Sequence, residues 1–265
     1  MLGGAVASTK YLTVTPGEVI TAEAGFLRGH GTYVSGDELV ASLAGVVERV
    51  NKLVSVRAVY SSRYTAEIGD VVIGRVKEVG SRRWLVDINS RQHGVLMLSS
   101  VNLSGGVQRR RTVADQLQMR SFFAEDDLIS AEVHSFYADG AIALHARSLK
   151  YGKLANGLFV QVPAGLMKRL KQHFVSLPCG VDVILGTNGY CWITETEPDD
   201  GADMVDATTA EVLEARRKRA ATRYISADAR RRMARVRNAI MALRAAAAPV
   251  VPDTIMAAYA EQKEV

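Results

Sequence analysis

The sequence predicts a mainly β protein whose C-terminal part combines strands and helices. Short runs of alternating or β-branched residues fill the first half of the chain, and glycine, proline and asparagine separate them. Apolar residues at helical spacing begin only after about residue 160. A chain of 265 residues, 48% of them hydrophobic, can bury more than one core. We expect a β module at 1–66, a five-stranded barrel at 67–147, a mixed core at 148–200 and a basic helical extension at 201–265.

The first module is predicted to consist of short strands. Two of them flank the turn pair Pro16-Gly17, and two more cover residues 41–50 and 53–59. Between these pairs, closely spaced glycines would let backbone N–H groups approach a phosphate. No helix and no lysine-serine or lysine-threonine ending follows them, so a phosphate loop is the weaker interpretation. We predict instead a glycine-dependent loop that presents three side chains to a protein partner or to RNA: Arg28, His30 and Tyr33.

The second region is predicted to form an OB-type barrel. Its five strand-like runs cover residues 70–79, 82–89, 94–98, 128–134 and 141–145. A long insertion follows the third run, and five strands with this break are typical of an OB barrel. In such barrels the second and third strands and the adjacent loops form the ligand face.

Basic residues are concentrated where that face is expected. We predict that phosphates are contacted by Arg75, Lys77, Arg82, Arg83, Arg91 and His93. Trp84 is predicted to offer a ring to a base. The alternative is a structural barrel whose charges are ordinary solvated side chains.

Composition favours an anionic partner in a reducing compartment. The net charge is +5 and the pI is about 9.2. Residues 216–244 carry eleven Arg or Lys and one acid, Asp228. Cys179 and Cys191 lack metal-ligand spacing and are expected to be reduced core thiols. We find no secretory signal and no run long enough to span a membrane, so we expect no membrane partner.

The mixed core is predicted to contain a helix and a hairpin. Pro163 can begin a helix, along which Leu166, Met167, Leu170 and Phe174 form an apolar stripe. Strands at 181–185 and 190–193 are joined by Gly186-Thr187-Asn188-Gly189. This segment fits the GxxG pattern with which KH domains clamp a nucleic-acid backbone, but it also contains the Asn-Gly pair of hairpins. Because it links two strands, we favour a structural turn at Gly186, Asn188 and Gly189.

The extension is predicted to hold two basic helices. Thr208 and Glu211 have capping-box spacing, and Ser226 can cap a second helix that ends before Pro249. Its apolar seam is formed by Met233, Val236, Ile240 and Leu243, with Arg231 and Arg235 pointing outward. The basic faces would contact RNA or an acidic protein surface, or would simply be solvated.

The order of these parts resembles the cap subunits of the RNA exosome. Those subunits combine an N-terminal β module, an S1-type OB barrel and a KH-like domain. The resemblance covers roughly residues 12–194 and is carried by these blocks: residues 29–33, 47–53, 67–70, 98–100 with 105–106, 109–111, 148–154, 177–180 and 186–193.

This resemblance implies a non-catalytic subunit that binds single-stranded RNA and guides its 3′ end toward a channel. Its partners would be a ring of RNase-PH-like subunits and the other cap subunits, in the nucleus, the nucleolus and also the cytoplasm. The N-terminal module and the KH-like domain would dock on the ring, with Lys150, Tyr151 and Lys153 among the docking residues. In the barrel insertion, Arg109, Arg110 and Arg111 would form a basic lip near the RNA path.

One departure from the family pattern changes the expected mode of RNA contact. S1-type barrels commonly carry two aromatic residues on the second strand and a histidine on the third. This chain is predicted to place Arg82, Leu85 and Met97 there. RNA contact is therefore expected to be mainly electrostatic, tolerant of sequence and sensitive to salt.

Two other classes of function compete with this interpretation. An enzyme could use acids such as Asp126, Asp127 and Glu195 to bind magnesium, but their settings favour solvated turns. The five histidines have no metal-ligand spacing, so we expect neither a cofactor nor a self-contained active site. The remaining alternative is a free-standing RNA chaperone or translation factor with the same barrel.

Overall fold

The computed structural model describes residues 12–23, 25–58, 63–101, 112–148, 150–196 and 222–262. The chain divides into two compact units between residues 61 and 62. Strands make up the first unit, and the second unit contains a barrel, a further sheet and helices. No helix in these ranges is long and apolar enough to cross a bilayer.

The first unit consists of two small sheets, ordered β1-β6-β7-β3 and β2-β5-β4. Its strands are β1 Thr13–Val14, β2 Val19–Thr21, β3 Leu27–Arg28, β4 Thr32–Ser35, β5 Glu38–Ala41, β6 Gly45–Val50 and β7 Leu53–Arg57. The single strand predicted over 41–50 is therefore two strands in different sheets. The core is small and contains Val14, Ile20, Leu39, Ala41, Val54 and Val56.

The second unit begins with the predicted five-stranded barrel. Its strands are β8 Val71–Val79, β9 Arg83–Asp87, β10 Gly94–Val101, β11 Leu128–Phe136 and β12 Ile142–Ala146. β12 pairs in parallel with β10 and antiparallel with β11, which closes the sheet on itself. Two short helices, α1 Val113–Leu117 and α2 Met119–Phe122, lie in the break between β10 and β11.

Every second side chain along the strands points into the barrel, and these side chains fill its interior. Trp84, Ile73 and Leu96 are fully buried there. Gly74 allows β8 and β9 to approach closely, because a Cβ at this position would lie 2.3 Å from a methyl carbon of Val86. Tyr64 also packs in this core, although residues 1–66 were predicted to form the first domain. The barrel unit therefore begins before residue 67.

The KH-like part is a four-stranded antiparallel sheet ordered β14-β17-β16-β15. Its strands are β14 Leu158–Gln161, β15 Phe174–Leu177, β16 Val181–Leu185 and β17 Tyr190–Glu195, and β13 Gly152–Leu154 extends the barrel sheet beside β11. Ile184, Tyr190 and Trp192 face the barrel core. The opposite face, which includes Val183 and Ile193, packs against helices α3 Ala227–Ala245 and α4 Pro252–Glu261. The sheet thus forms the middle layer of the unit.

The helix predicted after Pro163 is absent from this part of the structure. A single 3-10 turn, Ala164–Leu166, is followed by extended chain. Met167 forms a parallel bridge with Val250, whose N–H donates to the carbonyl of Leu166 at 2.9 Å. Pairing with the chain after α3 therefore overrides the local helical spacing, which is a weak determinant on its own.

The second tail helix forms as predicted, with one difference. Ser226 caps α3, because its hydroxyl accepts from the N–H of Ala229 at 3.1 Å, and Met233 and Val236 are buried. Arg231 is exposed, but Arg235 does not point to solvent: its guanidinium lies 4.3 Å from the ring centroid of Tyr259 in α4. The sequence did not suggest α4, which provides this contact. The helix predicted after Thr208 lies outside the described residues.

Candidate nucleic-acid interface

The outer face of the barrel is built from alternate residues of β9 and their partners on β10. Arg83 lies opposite Met97, and Leu85 lies opposite Val95. Arg82 precedes β9, so Arg83 rather than Arg82 shares this face with Leu85 and Met97. The face therefore combines charge with aliphatic surface and carries no aromatic ring on β9 or β10.

The prediction that Trp84 stacks on a base is wrong. Its ring is fully buried, its Nε1 donates to the carbonyl of Phe123 at 2.9 Å, and the two rings meet edge to face at 5.2 Å. The even-numbered positions of β9 point into the barrel. Trp84 is a core residue that a buried hydrogen bond holds in place.

The predicted basic residues of the barrel do not form one patch. Arg82 and Arg83 lie at the start of β9, whereas Arg91 and His93 lie in the loop after its end. A strand of five residues separates the two groups by about 16 Å, at roughly 3.3 Å per residue. All four side chains are exposed, as is Lys77, which lies in a bulge of β8 opposite Leu85 and Val86.

Arg75 is engaged within the unit. Its Nη1 donates to the carbonyl of Asp126 at 3.3 Å, and its guanidinium lies 5.9 Å from the ring centroid of Phe159 in the KH-like sheet. The structure therefore places Arg75 in a structural contact rather than with the exposed cations. Arg109, Arg110 and Arg111 lie outside the described residues.

The GxxG segment is a buried hairpin turn. The N–H of Gly189 donates to the carbonyl of Gly186 at 3.1 Å, and Gly189 has a φ of +85°. Asn188 is fully buried: its Nδ2 donates to the carbonyls of Ile73 at 2.6 Å and of Ile88 at 3.0 Å. The segment links strands and contacts the barrel backbone. It is not presented as a clamp for nucleic acid.

The three residues predicted to dock from the first unit are exposed. Arg28, His30 and Tyr33 belong to or flank β3 and β4. Gly31 between them has a φ of +73°, and a Cβ there would lie 2.4 Å from the carbonyl oxygen of Val56. The glycine lets the loop pack closely on β7. Docking by the three side chains remains a prediction.

The docking residues predicted from the KH-like part are mostly committed to internal contacts. Tyr151 is only 1% exposed and donates to Glu132 at 2.7 Å, so its proposed docking role is wrong. Burial is the main cause that raises the pKa of Tyr151 above its ordinary value. Lys153 pairs with Asp127 at 2.7 Å, and the Lys150 ammonium lies 5.0 Å from the ring centroid of Tyr151.

An ionic network with one buried member, Asp70, was not anticipated from the sequence and joins the KH-like part to the start of the barrel. Arg169 pairs through Nε with Asp70 at 2.9 Å and also pairs with Glu67. Asp70 is 4% exposed and accepts from the Tyr64 hydroxyl. Burial and this hydrogen bond raise the pKa of Tyr64. Beside the network lies a cleft of about 530 Å³, whose walls include Ile68, Asp70, Lys150, Arg169, Lys171 and Phe174.

Three protein-family descriptions match successive parts of the chain. Residues 13–50 match the "Exosome complex exonuclease RRP4 N-terminal region", residues 63–135 match "RRP4, S1 domain", and residues 157–199 match "KH domain". These matches follow the order of the first unit, the barrel and the KH-like sheet. They confirm the S1 and KH architecture.

Curated relatives cover most of the chain. The chain is 53% identical over 215 residues to "Exosome complex component RRP4" of Bos taurus, a match that spans 78% of this chain and 73% of the relative. It is 53% identical over 187 residues to the Saccharomyces cerevisiae protein of that name, spanning 71% and 52%. It is 41% identical over 257 residues to the Arabidopsis thaliana homolog, spanning 96% and 80%. The chain belongs to the RRP4 family of exosome complex components.

Proposed function

We propose that this chain is a non-catalytic, RNA-binding cap subunit of an RNA exosome. In this role it stabilises a ring of RNase-PH-like subunits and guides RNA 3′ ends into the channel for processing, including rRNA maturation, and for degradation. The ordered match of the chain to two RRP4 regions followed by a KH domain carries the proposal. Because the relatives are named as components of a complex, a free-standing chaperone or translation factor is not favoured.

RNA contact in this proposal is mainly electrostatic at the barrel. Arg82 and Arg83 are exposed at the start of β9 and Lys77 is exposed opposite its middle, so the outer face offers cations beside aliphatic side chains. The buried Asn188 turn and the engaged Arg75 take no part in that surface. Lys and Arg side chains bind phosphates without reading sequence, which suits a subunit that admits many transcripts.

Two of the three acids considered for catalysis, Asp127 and Glu195, have structural partners, which supports a non-catalytic role. The Asp127 carboxylate accepts from the N–H of Ala124 at 2.8 Å and pairs with Lys153. Glu195 pairs with Arg223 at 3.1 Å. The Asp127 carboxylate holds a turn, and Glu195 also pairs with Arg232 of α3 at 3.8 Å.

Docking on the ring and on other cap subunits is assigned in this proposal to the exposed loop of the first unit and to the KH-like part. Arg28, His30 and Tyr33 supply the exposed polar and aromatic side chains of the loop. The proposed location is the nucleus and nucleolus, and also the cytoplasm.

Native mass spectrometry of the tagged chain, purified from its own cells, tests the assembly. We expect a multi-subunit particle that contains RNase-PH-like subunits, and recovery of the chain without them would contradict the proposal.

The isolated full-length chain should leave a labelled RNA oligonucleotide intact in magnesium. Degradation that is lost in Asp126→Asn or Asp127→Asn would show an intrinsic nuclease and overturn the non-catalytic role.

A further inference from the structure

Two aromatic side chains are exposed at one end of the barrel. Phe136 is 47% exposed and Tyr137 is 42% exposed. The other aromatic residues in the described part of the barrel are buried or half-buried: Tyr64, Trp84, Phe122 and Phe123. The strand predicted at 128–134 ends before this pair, so alternation along that strand assigned neither ring to a face.

The structure shows why the two rings are exposed. β11 has a bulge between Val133 and Ser135, after which Phe136 pairs only with Ile142 at the end of the barrel wall. The N–H of Tyr137 donates to the carbonyl of Ala141 at 2.9 Å and closes the turn into β12. The rings therefore lie on a hydrogen-bonded turn at the end of the barrel.

Basic residues lie next to this turn. The amide of Gln92 donates to the carbonyl of Asp139 at 3.0 Å, which ties the turn to the β9–β10 loop. Arg91 and His93 flank Gln92 and are exposed. Gly94 and Phe136 both pair with Ile142, so His93 lies about two strand spacings, or about 10 Å, from the aromatic pair.

We propose that Phe136 and Tyr137 form a base-stacking platform for single-stranded RNA, with Arg91 and His93 contacting the adjacent phosphates. This inference rests on the proposed RNA-binding function and identifies where bases are held. Flat rings beside cations match the two chemical parts of a nucleotide, its base and its phosphate. The carboxylate that could oppose a phosphate, that of Asp139, accepts from the N–H of Ala141 within the turn.

Salt-dependent RNA binding by the full-length chain separates stacking from phosphate contact. Phe136→Leu and Tyr137→Leu keep apolar bulk but remove the rings, and each should weaken binding of a labelled single-stranded oligonucleotide about tenfold. The slope of log affinity against log salt should not change, because no cation is lost. Arg91→Ala should instead reduce that slope by about 0.7, because one phosphate contact is lost. Tyr224→Leu, at a tyrosine outside the barrel that is 79% exposed, is the matched control.

Each outcome bears on a different claim. Retained affinity in Phe136→Trp supports stacking, since a larger ring replaces the original one. Unchanged affinity in both leucine variants overturns the platform but leaves the RNA-binding function intact. If those variants bind RNA normally and lose partner subunits in native mass spectrometry, the rings contact protein and the inference is wrong. No RNA binding by the unmodified chain at low salt would overturn the platform and the proposed RNA-binding role together.

Discussion

At the residue scale, His145 is placed where its protonation opposes folding. It lies at the seam between β11 and β12, and its ring centroid is 5.3 Å from that of His134. Its Nδ1 is buried and has no hydrogen-bond partner within the described residues. Burial is the main cause that lowers the pKa of His145 below 6.5, with His134 and Arg147 acting in the same direction and Glu132 opposing them.

This arrangement predicts a loss of stability in mild acid. Because the folded-state pKa is lowered, the unfolded chain binds the proton more tightly. Above pH 6.5 His145 is neutral in both the folded and the unfolded chain, and burying it costs no proton. As the pH falls below 6.5, the unfolded chain takes up the proton first, and the free energy of unfolding decreases. His145→Gln should therefore flatten the fall in the free energy of unfolding between pH 7 and pH 5, measured by urea titration. His93→Gln, at an exposed loop position, is the control, and an equal fall in wild type and His145→Gln would contradict the prediction.

At the element scale, the hairpin between β16 and β17 fastens the KH-like sheet to the barrel. Asn188→Ala should lower the free energy of unfolding by about 3 kcal/mol, because it leaves the carbonyls of Ile73 and Ile88 buried without a donor. Chemical denaturation of the full-length chain measures this. Asn238→Ala, at an exposed position of α3, should change stability little. A cost at Asn188 no larger than at Asn238 would show that the buried amide is not needed.

The same hairpin shows how far the sequence could predict this structure. Glycine and asparagine between two apolar runs predicted the turn, because turn conformation is a local property. The contact of Asn188 with Ile73, more than 100 residues away, left no local signal. The prediction for Trp84 was wrong for a related reason. Alternation separates the residues of a strand into two faces, but it does not show which face packs in the core. The helix expected after Pro163 does not form because Met167 pairs with Val250. A contact so distant in sequence cannot be predicted from local spacing.

At the scale of the whole molecule, the barrel, the KH-like sheet and helices α3 and α4 form successive layers with two cores. Ile184 and Trp192 belong to the core shared with the barrel, and Val183 and Ile193 belong to the core under the helices. A sheet buried on both faces cannot move independently of either neighbour without exposing apolar surface. The candidate RNA surface therefore lies on a rigid support. The sequence predicted the order of the domains but not this layered packing.

The first unit is expected to open more readily than the second. It spans roughly 50 described residues around a small core, so its stability should not exceed about 7 kcal/mol. Native-state hydrogen exchange of the full-length chain should show lower opening free energies for β5 and β7 than for β8 and β16. Val54→Ala should reduce protection in the first unit alone, and Val183→Ala, at an equally buried position, should reduce it in the second alone. Equal opening free energies in both units, shifted together by either change, would show that the chain unfolds as one cooperative body.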